Sequence, residues 1–561
     1  MKLFREVIKK NLKMIIFYVV IGIVINFLDL YGVTYYQKIL DSFQIGKLTL
    51  IPLFAYGFLL ILSTLLGYLE NYPEQVVTNK LYLDFKLQTL NKMKTIDYLE
   101  YQKVGTGRLM QIVEDGATAS RDALLNFWLK LIRYLIPTAF FSLVFIFKVK
   151  RELAILVIFG YVIVILISNT LLKKLYKLKE KILFNQEILN KHLVRGFMEL
   201  VVFRTNKKYE TEIKITEKGI KNIVDGKTKI KLVHEIFFSA FALIVNMFKV
   251  IILGYSILKL DITVGSIVTV ISLLDKAYLP IAIFNVEYVD YKLNQVAIKK
   301  YVDFLELKDD LGFEKTKKMK KMKGSIVFDN VSFSYASKGI LNNLTLKINS
   351  NSSIALVGES GSGKSTIVKL LMGLIKPKEG RVLIDGKDLN SLNLDYFYEQ
   401  VTYVSQESPI FDGSLRENLV FDKMVTDDEI IKVLDLVCLK DFYQKLEKGL
   451  DTELGEKGLK LSGGERQRIA LARLFFEESR IVILDEATSA LDNLTEKKVM
   501  DSIFKTLNSK TFVIIAHRLE SIKKVDQIYV LSNGKIVEKG NYYELLNNKK
   551  YFSKLYKALL E

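Results

Sequence analysis

The first half of the chain alternates long apolar runs with long charged stretches. Runs at about Met14–Tyr36, Leu48–Glu70, Leu124–Val149, Leu153–Leu172, Val233–Leu258 and Ile262–Val286 are each long enough to cross roughly 30 Å of hydrocarbon as a helix. Between the second and third runs lies a polar stretch, about Asn71–Arg121. A lysine-rich one, about Lys173–Lys231, separates the fourth from the fifth. Both read as helices projecting from the membrane. The connections between runs three and four, and five and six, are short. The pattern predicts a membrane α-helical domain of six spans with long extensions on one side. Pro137 and Pro280 lie inside spans three and six and predict kinks. From Ser325 the pattern switches to short strands and amphipathic helices, as in Ile326–Tyr335, which predicts an α/β domain. The expected domains are therefore residues 1–302, a basic linker at 303–324 and a second domain at 325–561. The linker's Lys315–Lys323 core reads as a solvated tether.

Charge orients the spans. The chain has 561 residues, half of them hydrophobic (50%), with a net charge of +19. Lys2, Arg5, Lys9, Lys10 and Lys13 precede the first run and place the N-terminus in the cytoplasm, with both long polar stretches on the same side. Lys148, Lys150 and Arg151, in the short connection after span three, run against that rule. The excess of basic residues is thus assigned to cytoplasmic membrane flanks and not to nucleic acid. Membrane lipid is the partner this implies. Cys438 is the only cysteine, which excludes an intrachain disulfide, and His192, His234 and His517 are too scattered to suggest a metal cluster. No cleavable signal peptide is evident before the first span. Asp29, Lys130, Arg133, Lys249, Asp275 and Lys276 fall in or near spans. Lys130 and Arg133 read as snorkelling groups. Asp275 and Lys276 read equally as interfacial groups or as part of a polar translocation path.

The second half carries the chemistry. Gly358-Glu359-Ser360-Gly361-Ser362-Gly363-Lys364-Ser365 fits Gly, four residues, Gly-Lys-Ser. It lies between a buried-strand pattern, Ser353–Val357, and a helical one, Thr366–Met372. Strand, glycine loop and helix make a phosphate cradle: backbone N–H groups turn inward, and the helix start adds its positive end. Lys364 is placed to reach the outer phosphates and Ser365 to bind Mg²⁺. Arg480–Glu486 is an apolar strand ending in two carboxylates at the sheet edge where α/β folds place ligands. Asp485 suits Mg²⁺ through its hydration shell, and Glu486 suits the polarisation of an attacking water. Ser462-Gly463-Gly464-Glu465 starts a second helix with a good N-cap and exposed backbone N–H groups, a second phosphate-binding start. One nucleotide seldom needs both, so the second is expected to serve a nucleotide held by another chain. Tyr335, ending the first strand, offers a ring for an adenine.

In this order the motifs resemble those of the ABC transporters, specifically a half-transporter with fused membrane and nucleotide-binding domains. Gly358–Ser365, with Thr366 following, resembles the Walker A loop and Ile481–Glu486 the Walker B strand with its glutamate. Leu461–Glu465 resembles the signature motif, with Glu465 where many members carry Gln. Gln406 matches the Q-loop, Ser489–Asp492 the D-loop, His517 the switch histidine and Tyr335 the A-loop aromatic. Thr452–Gly458 is similar to the loop that meets the membrane domain in exporters.

The resemblance implies ATP and Mg²⁺ as cofactors, with Gln406 and Ser365 as Mg²⁺ ligands and Glu486, His517, Gln406 and Lys364 as the catalytic set. It implies that two nucleotide domains pair head to tail, so that a second half-transporter, identical or different, is a partner. Ser462, Gly463, Gly464, Glu465 and Asp492 would then complete a site across that interface. The implied function is ATP-driven export across a bacterial cytoplasmic membrane. Import by the same fold, and an ATP-gated channel or regulatory subunit with little hydrolysis, are the alternatives. Coupling segments are expected near Gln111–Ala119 and Glu199–Lys207.

Overall fold

The structure is a computed structural model. It describes residues 2–46, 50–198, 200–259, 263–317, 322–335, 338–455, 458, 461–516, 518 and 522–560. Two units emerge, one of residues 1–94 and 104–307, the other of residues 95–103 and 308–561.

The first unit is helical, and the helices up to residue 305 are α1 (Lys2–Gln44), α2 (Leu50–Thr95), α3 (Tyr98–Val104), α4 (Thr106–Asp122), α5 (Ile136–Val149), α6 (Arg151–Met198), α7 (Leu200–Thr205), α8 (Tyr209–Lys259) and α9 (Val264–Leu305). Most of α3 and the end of α2 cluster with the second unit, whereas Gln111–Ala119, expected as a coupling segment, lies on α4 in the first. Apolar spans continue without a break into the polar stretches, because nothing in the sequence stops the helices at the membrane edge; α2 runs on past Pro73 to Thr95. Among the described residues, five helical segments are long and apolar enough to cross a membrane, at 4–44, 50–95, 109–149, 209–256 and 264–305. The expected fourth span falls on α6, where the side chains of residues 164–172 lie outside the described set.

Helix α9 is the hub and touches α1, α4, α5, α6 and α8. Its Tyr278 is 1% exposed and donates to the Val157 carbonyl at 3.1 Å. A Cβ at Gly160 would come within 2.0 Å of the Tyr278 hydroxyl, so only glycine permits this approach.

Span three departs from a plain helix. Residues Ala123–Leu129 and Leu131–Leu135 are π-helical, and α5 begins just before Pro137. In an α-helix the N–H of residue 137 would bond the Arg133 carbonyl; proline has none. Asn26 of α1 donates to that carbonyl at 3.2 Å, and its Oδ1 accepts from Thr138 at 3.0 Å. The Arg133 side chain pairs with Glu70, lies 4.4 Å over the Tyr18 ring and fills the space that a side chain at Gly22 would take. Lys130 pairs with Glu287 at 2.6 Å. Lys130 and Arg133, read from the sequence as interfacial or snorkelling groups, thus each meet a carboxylate within the unit, and such pairing lowers the cost of a charge in or near a membrane. Asp275 pairs with Lys249 at 2.5 Å, and Lys276 is half-buried.

The second unit is α/β. A four-stranded sheet has the order β2-β1-β4-β5, with β1 (Ile326–Tyr335), β2 (Lys338–Ile348), β4 (Glu379–Ile384) and β5 (Lys387–Asp388). The other sheet runs β10-β9-β3-β8-β7-β6. It is made of β3 (Ser353–Gly358), β6 (Val401–Val404), β7 (Ile481–Asp485), β8 (Thr511–Ile515), β9 (Gln527–Ser532) and β10 (Lys535–Gly540). All are parallel except β10. Helices α10 (Lys364–Leu371), α11 (Leu394–Tyr398), α12 (Leu415–Val420), α13 (Asp427–Leu436), α14 (Lys440–Gln444), α15 (Gly463–Ala472), α16 (Asn493–Thr506), α17 (Tyr542–Asn547) and α18 (Tyr551–Leu560) complete it. Buried on both faces, β3, β7 and β8 separate two apolar cores. Met322, in the expected linker, is 5% exposed and belongs to one of them. The Lys315–Lys323 run is otherwise described only at 315–317 and 323.

Candidate functional site

Strands β3, β8 and β7 lie side by side, with Leu356 opposite Ile515 and Ile515 opposite Asp485. Their C-terminal ends therefore deliver the glycine loop and the two carboxylates to one edge of the sheet. Gly361 (φ +82°) and Gly363 (φ +110°) take backbone conformations that a side chain would strain, and a Cβ at Gly363 would lie 2.7 Å from Leu341. Glu359 and Ser360 are in the same turn, closed by Ser362 N donating to the Glu359 carbonyl at 3.2 Å. The loop enters α10 at Lys364, with Ser365 exposed and Thr366 buried on its first turn.

Lys364 is only 6% exposed, and its Nζ donates to the carbonyls of Gly358 and Glu359 at 2.7 and 2.9 Å. Burial holds its pKa below the ordinary lysine range, while Glu486 and Asp485 draw it back up. The Ser362 hydroxyl is buried with no hydrogen-bond partner. Bent amides, a buried cation and an unsatisfied hydroxyl make a cradle that an anionic oxygen would complete.

Across the edge, Gln406 Nε2 donates to Glu486 Oε2 at 2.7 Å. Glu486 is held at φ +52°, in the left-handed region, with its N–H on the Ile515 carbonyl at 3.1 Å and its own carbonyl accepting from Ser489 N at 3.2 Å. A non-glycine residue persists there only when its surroundings fix it. The Tyr403 hydroxyl donates to Asp485 at 3.2 Å, and burial together with Asp485 raises its pKa. The oxygen donors of Ser365, Gln406 and Asp485 are of the hard type that Mg²⁺ takes.

The remaining expected residues divide. Tyr335 ends β1 edge-on to Phe333, with ring centroids 4.9 Å apart. Ser462 caps α15: its Oγ accepts from Glu465 N at 3.2 Å, and Glu465 Oε2 accepts in return from Ser462 N at 2.8 Å. Gly463 and Gly464 lie against Ala490 and Leu491. Asp492 caps α16, accepting from Leu494 N and Thr495 N at 3.1 and 2.9 Å; the Thr495 side chain, with its backbone N–H next, holds the carboxyl below the usual range. His517 lies outside the described residues, as do Glu456 and Lys457 of the Thr452–Gly458 loop. Tyr403, Gln467 and Arg518 had no assigned role in the sequence, since only the fold brings them to Asp485 and to the loop after Glu486.

A family described as "ABC transporter" matches residues 341–489. A solved bacterial Atm1-family ABC exporter with ATP bound superposes over 99% of both chains, with a TM-score of 0.83 at 23% identity. An ATP-dependent lipid A-core flippase of Sodalis glossinidius is 28% identical over 90% of this chain and 88% of its own. The chain has the ABC half-transporter fold. Its helical unit is followed by an ABC cassette, it is related to ABC exporters, and several of its helices are long and apolar enough to make it a multi-pass membrane protein. A putative export ATP-binding/permease protein of Rickettsia typhi is 39% identical over 41% of the chain and 40% of its own length. Relatives at such higher identity are matched over 20% to 40% of their length.

Proposed function

We propose that the chain is an ATP-hydrolysing exporter subunit of a bacterial cytoplasmic membrane, with six spans of which the fourth runs along α6, acting as a dimer. The observation that carries this reading is the meeting of Lys364, Asp485, Glu486 and Gln406 at one sheet edge of a chain that also spans the membrane. The residues divide the work of holding ATP. The loop amides and Lys364 bind the phosphates, and Tyr335 stacks on the adenine. Ser365, Gln406 and Asp485 hold Mg²⁺, directly or through its water. Bound Mg²⁺ neutralises charge on the phosphate oxygens. Glu486 accepts a hydrogen bond from the attacking water and polarises it, and His517 assists from the switch segment. Ser462, Gly463, Gly464, Glu465 and Asp492 complete the site on the partner's nucleotide. Closing the two cassettes on ATP is what would move the spans, and a second copy of this chain supplies the simplest partner.

The test is reconstitution of the purified chain in sealed vesicles with Mg-ATP outside. The flippase relatives make fluorescent lipid a first probe, with peptides and hydrophobic cations beside it. Expected is ATP-dependent movement of one probe class into the vesicle, abolished by Glu486→Gln. Movement out of the vesicle would replace export with import. Hydrolysis indifferent to Glu486→Gln would overturn the ATPase reading.

A further inference from the structure

The loop Ser489–Asp492 is held from two sides. From α15, Gln467 donates through Nε2 to Ser489 Oγ at 2.9 Å and accepts at Oε1 from Ala490 N at 2.7 Å. Gln467 is 4% exposed, so a buried amide uses both its donor and its acceptor on this one loop. On the other side Arg518, one residue after the switch position, donates to the Leu491 carbonyl and, at 3.1 Å, to the Ser489 carbonyl. Its guanidinium also reaches Glu496 Oε2 at 3.4 Å, a carboxylate 4% exposed that accepts from Thr488 Oγ1 at 2.6 Å. The clamped loop in turn grips the glutamate, because Ser489 N donates to the Glu486 carbonyl. Glu486 sits at a left-handed φ that costs energy unless neighbours hold it.

We propose that Gln467 and Arg518 are positioning residues that clamp the Ser489–Asp492 loop, so that α15 and the switch segment of one chain jointly set the Glu486 carboxylate. This rests on the ATPase reading above and extends it. Glycines 463 and 464 at the start of α15 are assigned to the partner's nucleotide and Glu486 to the chain's own. A shift of α15 on one nucleotide is therefore transmitted through Gln467 to the hydrolytic group on the other. The route is two hydrogen bonds long, from Gln467 to Ser489 and from Ser489 to Glu486, and lies wholly within the second unit.

Gln467→Leu keeps the volume and deletes both bonds; Arg518→Met deletes the other side; Arg518→Lys keeps one cationic donor. In the full chain in nanodiscs, Gln467→Leu and Arg518→Met are expected to lower kcat for Mg-ATP by roughly ten- to hundredfold, the scale of a small misplacement, with KM nearly unchanged. Arg518→Lys should recover part of the loss, and the double variant should fall little below the worse single, because both act through one loop. Loss of KM together with kcat, or losses that add fully, would overturn the proposal in favour of a merely structural role. A second measurement does not depend on hydrolysis. Gln467→Leu should speed hydrogen exchange at the Ala490 amide by about tenfold or more. Unchanged exchange there overturns the clamp, whereas a wild-type chain that fails to hydrolyse Mg-ATP overturns only the functional reading.

Discussion

Gln406 and Glu486, 80 residues apart in sequence, are joined by a 2.7 Å hydrogen bond at the end of the parallel sheet. The bond fixes one carboxylate oxygen of a group whose charge also acts on Lys364. If Glu486 polarises the attacking water, Glu486→Gln should cut the ATP turnover rate by about a hundred- to ten-thousandfold. Binding of Mg-ATP should persist, because the cradle around Lys364 is untouched. Gln406→Ala should cost less, since it frees Glu486 without removing it. Phosphate release and equilibrium binding of Mg-ATP on the same preparations check both.

Most of this edge could be read from the sequence because each part is local. A glycine loop between a strand and a helix, or two carboxylates ending an apolar strand, names its own surroundings. Tyr403, Gln467 and Arg518 could not be read this way. Tyr403 reaches Asp485 only because β6 pairs with β7, and Gln467 meets Ser489 only because α15 packs on the loop after β7. Such contacts follow from topology and leave no spacing in the chain.

The cap of α15 predicts a separation of stability from charge. Ser462 and Glu465 satisfy each other's backbone N–H groups. Ser462→Ala should lower the thermal stability of the chain by an amount equivalent to about 1 kcal/mol, the usual worth of such a cap. Glu465→Gln keeps an acceptor for Ser462 N and should leave stability nearly unchanged. Calorimetry of the detergent-solubilised chain distinguishes the two. Equal losses would mean that the carboxylate charge, and not the hydrogen bond, holds the helix start.

Lys510 gives a pH dependence of definite sign. Its Nζ donates to the Glu477 carbonyl at 2.5 Å, and burial lowers its pKa to about 8. Because the unfolded chain keeps that proton to about pH 10.4 while the folded chain releases it near 8, the unfolded state binds more protons between those values. The contribution of Lys510 to stability should therefore rise as pH climbs from about 8 towards 10. The difference in melting temperature between wild type and Lys510→Met, followed over that range, should shift in favour of wild type. A constant difference would mean that the amine titrates alike in both states.

The helical unit was less legible than the cassette. Apolar length predicts spans but not what their charges touch. Arg133 and Lys130 look like snorkelling residues in isolation because their partners, Glu70 and Glu287, lie 63 and 157 residues away. The π-helical turns of span three are likewise invisible to a 3.6-residue period, although Pro137 marks where the backbone must change its bonding.

The Arg133–Glu70 pair yields the sharpest test of that unit. Three elements converge on it: Glu70 from α2, Tyr18 and Gly22 from α1, and Arg133 from the π-helical part of span three. The Arg133 and Glu70 side chains are 20% and 10% exposed, so removing one partner leaves the other charge poorly solvated. Arg133→Met should destabilise the chain by about 3–5 kcal/mol, the typical cost of orphaning a buried charge. Glu70→Leu combined with Arg133→Met should recover much of that loss, because no unpaired charge is left behind. Gly22→Ala should also destabilise, since its new Cβ would lie 2.2 Å from Arg133 Nε. Thermal unfolding in nanodiscs measures all three. If the double variant is as unstable as Arg133→Met alone, the cost lies in the lost packing on Tyr18 and not in the charge.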